Sequence, residues 1–413
     1  MEMLDLFGDE FSIIETKKEN DIDFNIQNNI KLTSQVNKDI YTDYIGEAFD
    51  LHIGDVCTTN IPLNLNIETK MSDWNIGVIC GASGSGKSSI LKHLAKGNII
   101  TPTFDNTKAL ISNFSNLEPK DATMLLSSMG LASVPTWIRP YNVLSNGEKY
   151  RAELAKIVSE SNDEIIFIDE YTSVVDRNVA KSMSYALQKY IRKNNKRIII
   201  ATCHYDIFEW LQPNWIYDLN KGGVLEQCDY LRQGRPKIEL QVFRTTSDTW
   251  ERFKKYHYMT QELNKACISI VFTWENKLVA YYSILPLPSG TMKNAYREHR
   301  LVVLPDFQGM GLGSKISEFG GGILKSQGKT LYTKTVNPSL GEYRNYSHNW
   351  QETAHNNKGR TLKNCEENMM GGLTRKSYCH KYIGEPIYGY EQLLKNIDDI
   401  RYENNYKGQL TLF

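Results

Sequence analysis

No hydrophobic run in this sequence approaches the roughly 20 residues that a membrane helix requires. No sign of charge dominates either. Lys plus Arg equals Asp plus Glu at 48 each, so the net charge points to no class of partner. Any nucleic-acid surface must then be a local patch. Cysteine is sparse. The seven, at 57, 80, 203, 228, 267, 365 and 379, form no C-x-x-C pair, which excludes a zinc ribbon of that type. Several sit in apolar runs, as at Cys80 and Cys203, and are expected to be reduced, buried thiols of a cytoplasmic protein. The N-terminus, Met1-Glu2-Met3-Leu4-Asp5, is acidic, so no signal peptide is expected. A length of 413 residues is enough for two real cores.

What the sequence does contain centres on Gly81-Ala82-Ser83-Gly84-Ser85-Gly86-Lys87-Ser88-Ser89. It fits the phosphate-binding pattern G-x-x-x-x-G-K-[ST]. The apolar run Ile76 to Cys80 before it reads as a buried strand, and Ser89 to Leu94 opens a helix. Gly81, Gly84 and Gly86 let the backbone bend so that its N–H groups meet phosphate oxygens at a helix N-terminus. The neighbouring positions Ser83 and Ser89 line the same loop. Lys87 is expected at the β/γ-phosphates of ATP, and Ser88 at Mg²⁺. Upstream, Phe49 to Ile53 and Leu63 to Ile67 alternate as half-buried strands do. Tyr41, Tyr44 and Phe49 are candidates to stack on adenine or are ordinary core aromatics.

Downstream, Ile165 to Ile168 is a buried strand ending in Asp169 and Glu170. Asp169 at the strand end can hold Mg²⁺, and Glu170 can polarise an attacking water. Leu144-Ser145-Asn146-Gly147-Glu148 opens a helix about twenty-five residues earlier. Asp176 ends the run after the acidic pair, and Arg197 to Thr202 is a second buried strand that leads to His204. This ordered set, over residues 46–232, resembles the ATP-binding-cassette (ABC) ATPases: P-loop, signature sequence, acidic pair, D-loop and switch histidine. The resemblance implies that Ser145 and Gly147 of one chain meet the γ-phosphate held by another. ATP would then clamp a homodimer, with Glu170 and His204 acting in hydrolysis. The set departs from the family after Ala109 to Phe114, read as a strand, where only Asn113 stands near the position of the usual glutamine. With no membrane span in the chain, a soluble ATPase is expected.

Beyond a hinge at Gly222-Gly223 and Gln233 to Pro236, a second domain is expected over 236–398. Ile238 to Phe243 alternates as a strand, Trp250 to Tyr256 reads as helix, and Cys267 to Phe272 pairs with Lys277 to Leu285 around Glu275-Asn276. The strand Arg300 to Leu304 delivers Gln308-Gly309-Met310-Gly311-Leu312-Gly313 to a helix over Ser314 to Ser326. A glycine loop capping a helix can bind pyrophosphate. A dinucleotide loop and a plain structural turn are the alternatives. The loop resembles that of the GNAT acyltransferases. That implies acyl-CoA, most simply acetyl-CoA, at Leu304, Gln308, Gly309, Gly311 and Gly313. Direct attack by an amine needs a base and an acid. The candidates are His257, Tyr258 and His299, with Tyr346, Ser347 and His348 behind them.

The segment 343–382 interleaves Arg344, Lys358, Lys363, Arg375 and Lys381 with Tyr346, Trp350, Tyr378 and Tyr382. That composition suits either a nucleic-acid groove or a solvated face. His257-Tyr258, His299 to Pro305 and Tyr343 to Trp350 also resemble, more weakly, the Mom-type phage acyltransferases, which modify adenine in DNA. The C-terminal Gln409 to Phe413 resembles the peptide by which bacterial proteins dock on a sliding clamp. It would be presented on a free tail over 399–413, opposite a partly ordered extension over 1–45. The expectation is an α/β P-loop ATPase domain followed by an α+β acyltransferase domain. Together they would form an ATPase and N-acyltransferase that acts on DNA, with a protein or tRNA amine, or acyl-CoA sensing alone, as alternatives.

Overall fold

The computed structural model describes residues 24–27, 30–61, 63–67, 74–161, 165–258, 261–290, 292–361, 374–395 and 408–412. Two small ribbons come first. β1 (Phe24–Gln27) pairs antiparallel with β4 (Asn64–Ile67), and β2 (Ile30–Gln35) with β3 (Val56–Ile61). Between β2 and β3 lies α1 (Ile40–Phe49), started by a capping box in which Asp39 accepts from the Tyr41 and Thr42 N–H groups. That cap overrides the alternating pattern at Phe49 to Ile53, which forms no strand. Tyr41, Tyr44 and Phe49 are exposed on α1 rather than gathered into a core.

The first large sheet has the order β6-β7-β5-β8-β9. β5 (Ile76–Cys80) is buried throughout and lies parallel between β7 (Arg197–Thr202) and β8 (Trp215–Asp218), while β6 (Ile165–Ile168) flanks β7. β9 (Val224–Gln227) closes the edge antiparallel. The connections hold α2 (Lys87–Leu94), α3 (Pro119–Ser128), α4 (Val134–Trp137), α5 (Asn146–Glu160), α6 (Arg177–Lys193) and α7 (Phe208–Leu211), with α8 (Tyr230–Gln233) following β9. On α6, Val179, Met183, Leu187 and Ile191 recur every four residues and are all buried, the stripe of a helix packed on a core. Residues Leu110–Asn113 form a 3-10 turn, not the expected strand. The Asn113 side chain ties this loop to itself through the Asp105 N–H and the Ala109 carbonyl, so it serves the loop.

The second sheet runs β15-β17-β14-β13-β12-β11-β10-β18, with β16 also on β17. Its strands are β10 (Ile238–Thr245), β11 (Ile268–Trp274), β12 (Lys277–Pro286), β13 (Ala295–Val303), β14 (Thr330–Thr335), β15 (Trp350–Glu352), β16 (Lys358–Thr361), β17 (Thr374–Tyr382) and β18 (Gly408–Leu412). Glu275 and Asn276 both hold positive φ, 49° and 62°, in the two-residue turn between β11 and β12. The stretch expected as helix around Trp250 forms 3-10 turns, Ser247–Arg252 and Lys254–Tyr256. α9 (Leu312–Lys325) and α10 (Pro338–Tyr346) cover the sheet.

Two expectations are corrected here. The C-terminal segment is not a free tail, because Gly408–Leu412 pairs antiparallel with β10, Leu410 opposite Leu240. Phe413 lies outside the described residues. Residues 362–373 of the basic and aromatic segment 343–382 lie outside the described residues. Among its described residues, Arg344, Trp350, Tyr378 and Tyr382 are buried and Tyr346 is exposed. Cys203 is exposed, while Cys80 is buried and its thiol is pushed up to about 12 by burial. The six described cysteines are all free thiols. Among the described residues no helix is long and apolar enough to cross a membrane.

The two sheets are packed together through the loop that follows β13. Gly309 backs onto Gly130, and a Cβ at Gly309 would lie 2.8 Å from Ala186 Cβ and 3.0 Å from Gly130 Cα. Ser182 Oγ lies 2.8 Å from the Asp306 carbonyl oxygen, and Trp210 of the first unit sits edge-on to Trp274 of the second.

Candidate functional site

At the end of β5 the chain turns sharply into α2. Gly84 and Gly86 hold φ of 77° and 94°, and a Cβ on Gly86 would strike the Ile61 side chain at 2.8 Å. Only glycine takes both constraints without strain. Gly81 turns beside Ser85, whose Oγ is buried and has no hydrogen-bond partner, a polar atom suited to an incoming oxygen. Ser83 is exposed on the loop, and Ser89 follows in the first turn of α2. Lys87 Nζ lies in the mouth of the loop, donating to the Gly81 and Ala82 carbonyl oxygens. No side chain caps α2, so its first N–H groups face the loop.

The strand-end residues converge on this loop. Ser88 Oγ donates to Asp169 Oδ1 at 2.9 Å. The pair fits a Mg²⁺ held by one carboxylate, one hydroxyl and substrate phosphates. No cluster of three or more His, Cys, Asp or Glu suited to a metal exists among the described residues. Glu170 holds φ 48°, outside the range its side chain prefers, and stands at the sheet edge with its N–H given to Asp169. His204 approaches from β7, and its Nδ1 is 3.0 Å from Thr172 Oγ1. Burial, with Arg177 nearby, lowers the His204 pKa.

Thr172 opens the run Thr172 to Asp176 read as the D-loop, but nothing in the sequence announces its contact with His204. It is fully buried, holds φ 67°, and its N–H donates to the hydroxyl of Tyr150 on α5. It therefore ties α5 to His204. Ser145 caps α5 in a reciprocal capping box with Glu148. Gly147 lies against Val179 of α6, where a Cβ would stand 3.3 Å from the valine. Asp176 caps α6 through the Asn178 and Val179 N–H groups.

In the second unit, β13 and β14 are parallel but pair only from Ala295 opposite Thr330 to Arg297 opposite Tyr332. Beyond Arg297 the pairing ends, while β13 continues to Val303, just before the glycine loop. β13 carries a bulge at His299, between the pairs Ser283–Arg300 and Ile284–Glu298. α9 starts without a side-chain cap on Gly311, φ 77°. By contrast Ser145, Asp176 and Asn337 cap α5, α6 and α10. The first N–H groups of α9 thus keep their capacity for an anion, and a Cβ at Gly313 would meet only Val303 and Leu301 at ordinary contact distance. These residues fit a pyrophosphate at Gly311 and Gly313.

Three other positions expected at acyl-CoA are engaged elsewhere. The Leu304 N–H donates to the Val279 carbonyl oxygen. Gln308 Oε1 accepts the Ala132 N–H at 2.7 Å while Nε2 donates to the Val303 carbonyl oxygen, so this side chain serves the joint between the units. Gly309 is packed on Gly130.

The candidate acid and base groups separate as clearly. Tyr258 OH is 3.4 Å from Thr335 Oγ1, at the end of β14 beyond its pairing with β13. His257 is buried, stacked on Tyr258 at 5.0 Å and edge-on to Trp250. His299 Nε2 accepts the Asn264 N–H, so its lone pair is in use. Burial first, then Arg300, Arg297 and His257, bring its pKa down to about 4. Arg344 is fully buried and donates through Nη2 to both oxygens of Glu298 on β13 and to Ser317 Oγ on α9. Tyr346 is exposed and Ser347 follows α10.

The chain matches the model of the acetyltransferase (GNAT) family over residues 204–346. It is 24% identical over 216 residues to the probable ATP-dependent transporter ycf16 of Cyanidium caldarium, covering 40% of this chain and 83% of that protein. It is 26% identical over 217 residues to the lipoprotein-releasing system ATP-binding protein LolD of Ehrlichia ruminantium, covering 41% of this chain and 91% of that protein. Among solved structures, the ATP-binding cassette MJ0796, a dimer in a post-hydrolysis state bound to ADP and phosphate, aligns with a TM-score of 0.34 at 17% identity. That alignment covers 43% of this chain and 94% of the other. The chain carries an ABC-type ATP-binding domain and a GNAT acetyltransferase domain, both of enzymatic kinds.

Proposed function

We propose that this chain is an ATP-hydrolysing, acyl-CoA-dependent N-acyltransferase that ATP closes into a homodimer. The division that goes with it is an extension over 1–45, the ATPase over 46–232, the acyltransferase over 236–398 and a C-terminal segment over 399–413. The observation that carries the transferase half is the end of pairing between β13 and β14 after Arg297, beside the uncapped N-terminus of α9. A thioester lying where that pairing ends has its pyrophosphate at Gly311 and Gly313. The acceptor nitrogen attacks the thioester carbonyl carbon, the C–S bond breaks, the nitrogen loses a proton and the thiolate gains one. Tyr258 is the candidate acid, because its hydroxyl lies beside Thr335 at the end of β14. His299 orients the bulge by holding the Asn264 N–H.

In the ATPase half, the P-loop and Lys87 hold the phosphates, and Ser88 and Asp169 would hold Mg²⁺. Glu170 orients the attacking water and His204, steadied by Thr172, faces the γ-phosphate. Ser145 and Gly147 serve the partner chain's nucleotide. The acceptor is an amine, and a nucleobase in DNA is the class to test first, on the Mom-type resemblance. Docking on a sliding clamp through Gln409 to Phe413 would cost the pairing of β18 with β10, and the proposal does not include it. The packing of Gly309 on Gly130 favours a second reading, in which the transferase fold senses acyl-CoA for the ATPase.

One assay separates the two. Release of CoA thiol is followed with acetyl-CoA plus DNA, tRNA or a lysine peptide. Acceptor-dependent thiol release supports the transferase. Acetyl-CoA binding without release to any acceptor supports the sensor.

A further inference from the structure

We propose that α5 and α6 position the acyl-CoA loop, so that acyl-CoA affinity changes with the nucleotide held by the ATPase sheet. The inference rests on the ATP and acyl-CoA readings above and adds the coupling between them. Its observations lie in the joint between the two units.

The loop 306–309 is held from the first unit at successive points. Ser182 Oγ reaches the Asp306 carbonyl oxygen at 2.8 Å and the Val179 carbonyl oxygen at 3.0 Å. Its single proton can serve one of these at a time, either its own helix or the loop. Arg151 Nη2 donates to Ser182 Oγ at 2.9 Å. Gln308 accepts the Ala132 N–H, and Gly309 rests on Gly130 and Ala186. Ser182 and Ala186 are four residues apart and so lie on one face of α6.

Arg151 is fully buried, and its Nε and Nη1 have no hydrogen-bond partner among the described residues. A Cβ at Gly130 would stand 3.3 Å from Arg151 Nε and 3.0 Å from the Gln308 carbonyl oxygen, so the unpaired guanidinium edge borders the loop backbone. A buried donor left unpaired is costly. A small shift of the loop toward Arg151 gives it a carbonyl partner, which is a reason for two arrangements rather than one. Burial raises the Asp306 pKa, and Arg151 opposes that effect, so the two side chains sense each other's charge.

Both helices begin at nucleotide elements. Ser145 caps α5 six residues before Arg151, and Asp176 caps α6 six residues before Ser182. Six residues span about 9 Å of helix. The first turns touch at Gly147 and Val179, so the pair moves together. A displacement of the two N-termini on ATP binding is therefore delivered to the loop that ends at Gly311. Ser182, Arg151 and Gln308 are positioning residues in this scheme and touch neither ligand.

Linkage supplies the test, because a coupling factor must be the same in both directions. Acetyl-CoA is titrated calorimetrically into the full chain carrying Glu170→Gln, with and without ATP and Mg²⁺, and ATP is titrated with and without acetyl-CoA. The expected factor is about fivefold or more and equal in both directions. Ser182→Ala, and separately Gln308→Met, should bring it to within about twofold of unity while ATP still binds. A mere packing role for Ser182 would lower melting temperature without moving the factor. Equal acetyl-CoA affinity with and without ATP overturns the proposal, as does a factor that survives both substitutions. A chain that binds no acetyl-CoA at all overturns the acyl-CoA reading itself, so the two failures are distinct.

Discussion

Thr172 Oγ1 lies 3.0 Å from His204 Nδ1, and the threonine holds φ 67°, a conformation that β-branched residues avoid. A strained, fully buried residue that orients a ring nitrogen leaves Nε2 as the free face of the imidazole. Thr172→Val keeps the shape and removes the hydroxyl. The loss of one such hydrogen bond, about 1 kcal/mol, should lower kcat for ATP roughly five- to tenfold and leave KM within about twofold. Steady-state phosphate release measures it, and an unchanged kcat would remove Thr172 from the account.

Glu170 should behave differently from its neighbour. Glu170→Gln keeps the phosphate cradle and removes the charge at the water, so ATP should bind and persist. The variant should elute as a dimer with ATP and as a monomer without it. Hydrolysis at the unmutated rate would contradict the role given to Glu170.

Acid should weaken the second domain through its histidines. His299 and His380 are both held near a pKa of about 4, chiefly by burial, with Arg300 or Arg344 adding to it. The unfolded chain, at the ordinary 6.5, binds these protons first. Their contribution to stability is thus whole above pH 6.5 and is lost as pH falls through the window down to about 4. Urea midpoints between pH 7 and 4.5 should fall less steeply for His299→Gln than for the unmutated chain. Parallel slopes would mean that His299 titrates normally.

Much of this was legible in the residues, and the misses have local causes. The apolar run Ile76 to Cys80 with three glycines after it admits little but a buried strand and a phosphate loop. Asp169 and His204 each end an apolar run, and parallel pairing brings both beside that loop. Period and turn chemistry sufficed for β11 and β12, because Glu275 and Asn276 tolerate positive φ. The helix at Ile40 was hidden because its signal is one capping box at Asp39, while Phe49 to Ile53 alternates by chance. The roles of Thr172, Arg151 and Ser182 were not legible because their partners are 22 to 124 residues away in the chain. Gln308 and Gly309 fit a phosphate motif and are used for the joint, a choice that only the neighbouring unit reveals. Over 343–382 composition left a groove and a solvated face open, because it cannot say which way Tyr378 and Arg344 face; both are buried.

The most direct test of the central claim, two ligand sites on one chain, is a paired titration of the unmutated protein and Gly311→Glu. Gly311 begins α9 at φ 77°, so glutamate there brings both strain and negative charge to the place assigned to pyrophosphate. The unmutated chain should bind one acetyl-CoA saturably and ATP as well. Gly311→Glu should lose acetyl-CoA binding by on the order of a hundredfold, about 2.7 kcal/mol, and still bind ATP. No acetyl-CoA binding by the unmutated chain up to roughly 1 mM, or equal affinity in the variant, would contradict the account.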